Sequence, residues 1–169
     1  MAKKQKSNII QLFPIIGTVL GIIAVVMIFL PAISIKDTEV TYTGLQTAFG
    51  YTQEGLFGDR IIFKFSLILF VGFIIAIGAV AFAVFHLLTP KNKSFLLFAV
   101  VCFVLSALCY FFQIELLSVG DGFLSELVGS YLNPDLAKET MQLGVGAVVG
   151  GIASVLSAIA CALPIFIKK

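Results

Sequence analysis

Long apolar runs dominate the hydrophobic and polar pattern of this chain: residues 9 to 30, 61 to 88, 95 to 117 and 141 to 167 carry almost no charge. At about 1.5 Å of rise per residue, a helix of about 20 residues matches the thickness of a hydrocarbon core. The pattern predicts four transmembrane helices, an all-α membrane fold forming one integral membrane domain over residues 1–169. The connections at about residues 31 to 60 and 118 to 140 are too short for an independent globular domain.

The two long connections have patterns of their own. Ile33, Ile35, Val40 and Tyr42 alternate with polar residues around Lys36-Asp37-Thr38, which predicts a β-hairpin. Leu45, Ala48 and Phe49 then fall at near-helical spacing, so a short interfacial helix is expected over residues 44 to 49. In the second connection Phe123, Leu124, Leu127, Val128 and Tyr131 make one face of a short amphipathic helix. Together the two segments predict a small cap.

Boundary residues refine the spans. Pro14 is expected in the first turn of the first helix, where its missing N–H costs little, and Pro31 helps end that helix. Asp59 and Ser94 read as caps before the second and third helices, and Thr89-Pro90 closes the second. Asn133 with Pro134, Asp135 and Glu139 predicts a fourth helix that starts early and runs unbroken through Met141. The first run, preceded by lysines and followed by Ala32-Ile33-Ser34, also fits a cleavable signal; its 22 residues exceed the usual apolar core of about 7–15, which favours a retained span.

Composition agrees with the pattern and charge orients it. Of 169 residues, 60% are hydrophobic and 12% charged, outside soluble-domain usage. Lys3, Lys4, Lys6, Lys91, Lys93, Lys168 and Lys169 lie at the termini and in the short loop, while eight acids lie in the two long connections. By the positive-inside rule both termini are cytoplasmic and the long connections outside, in the cell membrane. A net charge of +2 gives no basis for nucleic-acid binding.

Cytoplasmic termini, four spans and a β-containing first outer loop with Gly44-Leu45 resemble the claudin and tetraspan topology over the whole chain. Claudins follow Gly-Leu with Trp and carry two loop cysteines; here Gln46 follows and the chain has no Trp, so the resemblance implies architecture alone. The Tyr-Thr-Gly-Leu-Gln stretch at residues 42 to 46 is similar to small four-span membrane proteins of Gram-positive bacteria.

Small residues four apart mark helix-packing faces: Gly17 and Gly21, Gly72 and Ala76, Gly146 and Gly150. They serve packing within the bundle or, on the Gly-rich fourth span, association between copies. Lys64 and Glu115 fall at similar depth near the outer ends of the second and third spans. They can form an interhelical ion pair or snorkel to the interface. Tyr110 and Gln113 could line a small outer pocket, and seventeen phenylalanines could form a lipid or quinone groove.

Other chemistries find little support. The first span has no charged residue, unlike small four-span exporters with a membrane glutamate. His86 stands without a second ligand and is expected to face headgroups. Cys102 and Cys109 lie about 10 Å apart along one helix, beyond the Cα span of about 6.8 Å for a disulfide; only Cys102 and Cys161 fall at similar depth. No catalytic, metal or cofactor motif is present. The sequence therefore suggests a structural or interaction protein rather than an enzyme, with the lipid bilayer and another membrane protein or further copies of itself as partners. The competing reading is an oligomeric pore or lipid-handling protein.

Overall fold

The protein is described by a computed structural model over residues 2–54, 59–90, 92–119 and 138–167. Among these residues four helices are long and apolar enough to cross a membrane. Helix α1 (Ala2–Val26) ends in a 3₁₀ turn (Met27–Phe29) and leads to β1 (Pro31–Ile35). There follow β2 (Thr41–Thr43), α2 (Gly44–Phe49), β3 (Tyr51–Gln53), β4 (Arg60–Phe63), α3 (Leu67–Leu88), α4 (Ser94–Phe111), β5 (Met141–Leu143) and α5 (Val145–Phe166).

Each apolar run is trimmed or extended relative to expectation, for local reasons. Ala, Lys and Gln at the N-terminus are strong helix formers, so α1 begins at Ala2 and Pro14 lies inside it rather than in its first turn. Residues 61 to 63 are strand, since a short run of Ile, Ile and Phe suits a sheet as well as a helix. Helix α3 is capped by Ser66, whose hydroxyl accepts from Leu69 N–H at 3.5 Å, not by Asp59. Ser94 is the first residue of α4, and the side chain of Asn92 accepts its N–H at 3.0 Å. Residues 112 to 116 turn instead of continuing α4.

The largest correction concerns the fourth run. Residues 141 to 143 form β5, not the interior of a continuous helix. Gly144 separates strand from helix: its N–H donates to Ala32 O at 2.8 Å, and a Cβ there would come within 2.5 Å of Pro31 O. The amphipathic helix expected over residues 123 to 131, and the early start at Asn133, lie outside the described residues.

The chain divides into two compact units. In one, built from the described parts of Met1–Val26, Gly72–Leu108 and Gly150–Lys169, the core is Ala79, Ala83, Leu96, Ala99, Phe103, Ala158 and Cys161. Alanine and glycine let the shafts approach closely, while Ile15, Val19, Ile77, Val101 and Ile159 point outward.

The other unit comprises the described parts of Met27–Val71 and Cys109–Val149. Strand β1 is central in a sheet ordered β2-β1-β5, both pairings antiparallel, so it joins the first long connection to the approach to α5. The expected hairpin is present, with Ile33 opposite Tyr42 and Ile35 N–H bonded to Val40 O at 3.1 Å. Asp37 in its turn has φ 61°, a conformation that Asp tolerates better than most residues. Strands β3 and β4 form a second antiparallel pair. Ile33, Ala48, Ile62 and Phe63 are buried between these elements, and Tyr42 meets Phe63 edge-on at 4.8 Å between ring centroids. The small sheets thus add β3, β4 and β5 to the expected hairpin of β1 and β2.

Candidate functional site

Helix α2 lies at the centre of the polar bonding in the strand-bearing unit. Thr43 and Gln46 form a reciprocal capping box: Thr43 N–H donates to Gln46 Oε1 at 2.8 Å and Gln46 N–H to Thr43 Oγ1 at 3.3 Å. One turn on, Thr47 is fully buried and donates to Gly44 O at 2.8 Å. Its oxygen accepts from the Gln113 side chain at 2.7 Å. Gln113 is buried as well, and among the described residues its Oε1 has no hydrogen-bond partner. Tyr110, one turn before Gln113 on the same face, is also buried. These two residues, expected at an outer pocket, are therefore internal, and Gln113 fastens α2 to the turn after α4.

Lys64 and Glu115 both stand outside the helices. Lys64 precedes α3, Glu115 follows α4, and both are exposed. Their segments run side by side: Lys64 N–H donates to Ser118 O at 2.8 Å, Ser66 Oγ donates to Leu116 O at 2.9 Å, and Phe63 bridges Val119. The carbonyl of Glu115 accepts from Lys138 Nζ at 3.0 Å, while Lys36 Nζ reaches Glu139 O at 2.6 Å. Two lysines thus hold backbone carbonyls of this unit.

The glycines expected at packing faces occupy close approaches. A Cβ at Gly17 would lie 2.6 Å from Cys161 Sγ, and one at Gly21 would lie 2.5 Å from Phe103 Cζ. Gly146 approaches three carbonyls, those of Met27, Leu30 and Pro31, within 2.9 Å of where a Cβ would sit. Gly72, Ala76 and Gly150 are buried.

In the helical unit His86 is buried at 7% exposure rather than facing headgroups. Its Nδ1 lies 3.1 Å from Asn92 O; a carbonyl can only accept, so Nδ1 carries the proton and ties α3 to the loop before α4. Cys102, Cys109 and Cys161 are free thiols. Phe82 meets Phe98 and Phe85 meets Phe95, at 5.7 and 6.0 Å, so part of the phenylalanine density joins α3 to α4.

Sequence reasoning missed Thr47, Ser66 and Gly144. The first two are single hydroxyls whose role depends on distant partners. The Thr43-x-x-Gln46 spacing, in contrast, is a readable capping signal. Among the described residues no group of three or more His, Cys, Asp or Glu side chains could hold a metal ion. Comparison with protein-family models, with curated proteins and with solved structures finds no match to this chain.

Proposed function

We propose that the chain is a multi-pass protein of the cell membrane that acts as a structural or interaction component rather than an enzyme. In this reading four helices span the bilayer, both termini are cytoplasmic, and the two long connections face outward. The observation that carries it is the strand-bearing unit. Two distant segments share one sheet and one buried core instead of merely linking spans. A folded, membrane-anchored surface suits lasting contact with a protein partner, either another membrane protein or a second copy.

The bilayer part of the reading is supported by apolar side chains exposed along all four long helices, including Ile22, Ile74, Val104 and Ile152. Such continuous exposure is costly in water and natural against lipid. The lysine distribution supports the orientation.

The test is site-specific photo-cross-linking from Thr41 and Gln53, both exposed, in intact membranes, combined with native mass spectrometry of the lipid-extracted protein. A discrete cross-linked partner, retained in the mass spectrum with fixed stoichiometry, is the expected result. A partner-free homo-oligomer that conducts ions in planar bilayers would instead favour the competing pore reading.

A further inference from the structure

We propose that Ser106 on α4 and Ser154 on α5 hold a single buried water molecule inside the helical unit. The two side chains are 1% and 0% exposed, and among the described residues neither hydroxyl has a hydrogen-bond partner. Other buried hydroxyls in this unit donate to the carbonyl one turn back: Thr18 to Pro14 O and Ser157 to Ala153 O, each at 2.8 Å. Ser106 and Ser154 do not. Each leaves a donor and its acceptor lone pairs unused in an apolar interior.

Packing brings the two hydroxyls to the same region. Ser106 continues the α4 stripe of Leu96, Ala99 and Phe103 at spacings of three and four, and Ser154 continues the α5 stripe of Ala158 and Cys161. Those five residues share one buried cluster, so the stripes face each other and each serine stands about one turn beyond it.

Helix α1 sets the heights. Gly17 approaches Ser157 and Cys161, while Gly21, about 6 Å further along, approaches Phe103. Helix α5 runs antiparallel to α1, since its first turn at Gly146 meets Met27 and Leu30. Counted at about 1.5 Å per residue, Ser106 and Ser154 then differ in height by only about 3 Å.

The chemistry selects the occupant. Two neutral hydroxyls offer no charge to fix an ion, but each can donate or accept. One water can engage both, as buried waters do with two to four polar partners. It would give an apolar helix seam one fixed polar point.

The test uses the full chain in lipid. A crystal structure at a resolution that shows ordered water should contain density within hydrogen-bonding distance of both Oγ atoms. In parallel, S106A, S154A and the double variant are compared by reversible unfolding. Each single change should lower the folding equilibrium constant by about three- to tenfold, and the double variant should lose no more than the worse single one. A dry site overturns the proposal. So do single variants at least as stable as the wild type, because removing an unsatisfied hydroxyl relieves a cost. If a variant does not fold, the density in the wild-type crystal decides.

Discussion

The side chain of Gln113 donates to the hydroxyl of Thr47 at 2.7 Å, and that hydroxyl in turn donates to Gly44 O at 2.8 Å. Because the Thr47 hydroxyl spends its proton on Gly44, its oxygen must accept, which fixes the Gln113 amide with nitrogen rather than oxygen toward it. The two residues are 66 positions apart, so the bond closes the strand-bearing unit across a long stretch of chain. Gln113→Leu should destabilise this unit by about 0.5–1.5 kcal/mol, the usual net contribution of one hydrogen bond, because the Thr47 hydroxyl keeps its bond to Gly44 O. Thr47→Val should cost a similar amount, and the double variant less than the sum of the two, in denaturant unfolding of detergent-solubilised protein.

Glycine substitutions along the helices separate packing from propensity. A Cβ at Gly21 collides with the ring of Phe103, itself buried, whereas a Cβ at Gly78 meets nothing within 4 Å among the described residues. Gly21→Ala should therefore destabilise by about 1–3 kcal/mol through overpacking. Gly78→Ala should stabilise by about 0.5–1 kcal/mol through helix propensity alone. Thermal unfolding followed by circular dichroism reads both signs in one experiment.

Gly144 and Gly146 face backbone rather than flexible side chains. Pro31 O would lie 2.5 Å from a Cβ at Gly144 and 2.9 Å from one at Gly146, and a carbonyl held in a sheet cannot swing away. Gly144→Ala and Gly146→Ala should each cost at least about 2 kcal/mol, more than Gly21→Ala. Loss of β5 pairing should appear as faster amide exchange at Lys36, which otherwise donates to Thr140 O.

Adjacent backbones bring the segments of Lys64 and Glu115 together. The antiparallel register sets Lys64 opposite Ser118. A Lys64→Cys, Ser118→Cys pair, in a background without the native cysteines, should therefore form an intramolecular disulfide under mild oxidation. A Lys64→Cys, Glu115→Cys pair tests the ion pair. Glu115→Gln should change stability by no more than about 1 kcal/mol, since both side chains are exposed. Failure of the Lys64→Cys, Glu115→Cys pair to cross-link would remove the proposed ion pair.

The long helices and the hairpin were legible because their signals are periodic and local. Alternation around Lys36-Asp37-Thr38 marked β1 and β2, and the spacing of Leu45, Ala48 and Phe49 marked α2. Helix ends were not legible where strand and helix share a composition. Ile61-Ile62-Phe63 and Met141-Gln142-Leu143 read as extensions of apolar spans, yet pairing with β3 and β1 makes them strands. That choice depends on partners many residues away. His86 illustrates the same limit at a single side chain: standing without a second ligand, it is expected to face headgroups, whereas Asn92 O, six residues on, holds it inside.

The packing glycines were legible as a pattern but not by partner. Gly17 and Gly21 lie on one face, yet Gly17 meets α5 and Gly21 meets α4. Tyr110 and Gln113 are polar residues in an apolar stretch, and both are buried. Gln113 is held there by Thr47, which no local signal connects to it.

The central claim, four spans with both termini on one side and the two long connections on the other, is tested most directly by cysteine accessibility in intact cells. Single cysteines at Thr41, Gln53 and Asn92, all exposed positions, are placed in a chain whose Cys102, Cys109 and Cys161 are replaced by alanine. A membrane-impermeant maleimide should label positions 41 and 53 without permeabilisation and position 92 only after it. Labelling of position 92 in intact cells, or protection of positions 41 and 53, would contradict the account.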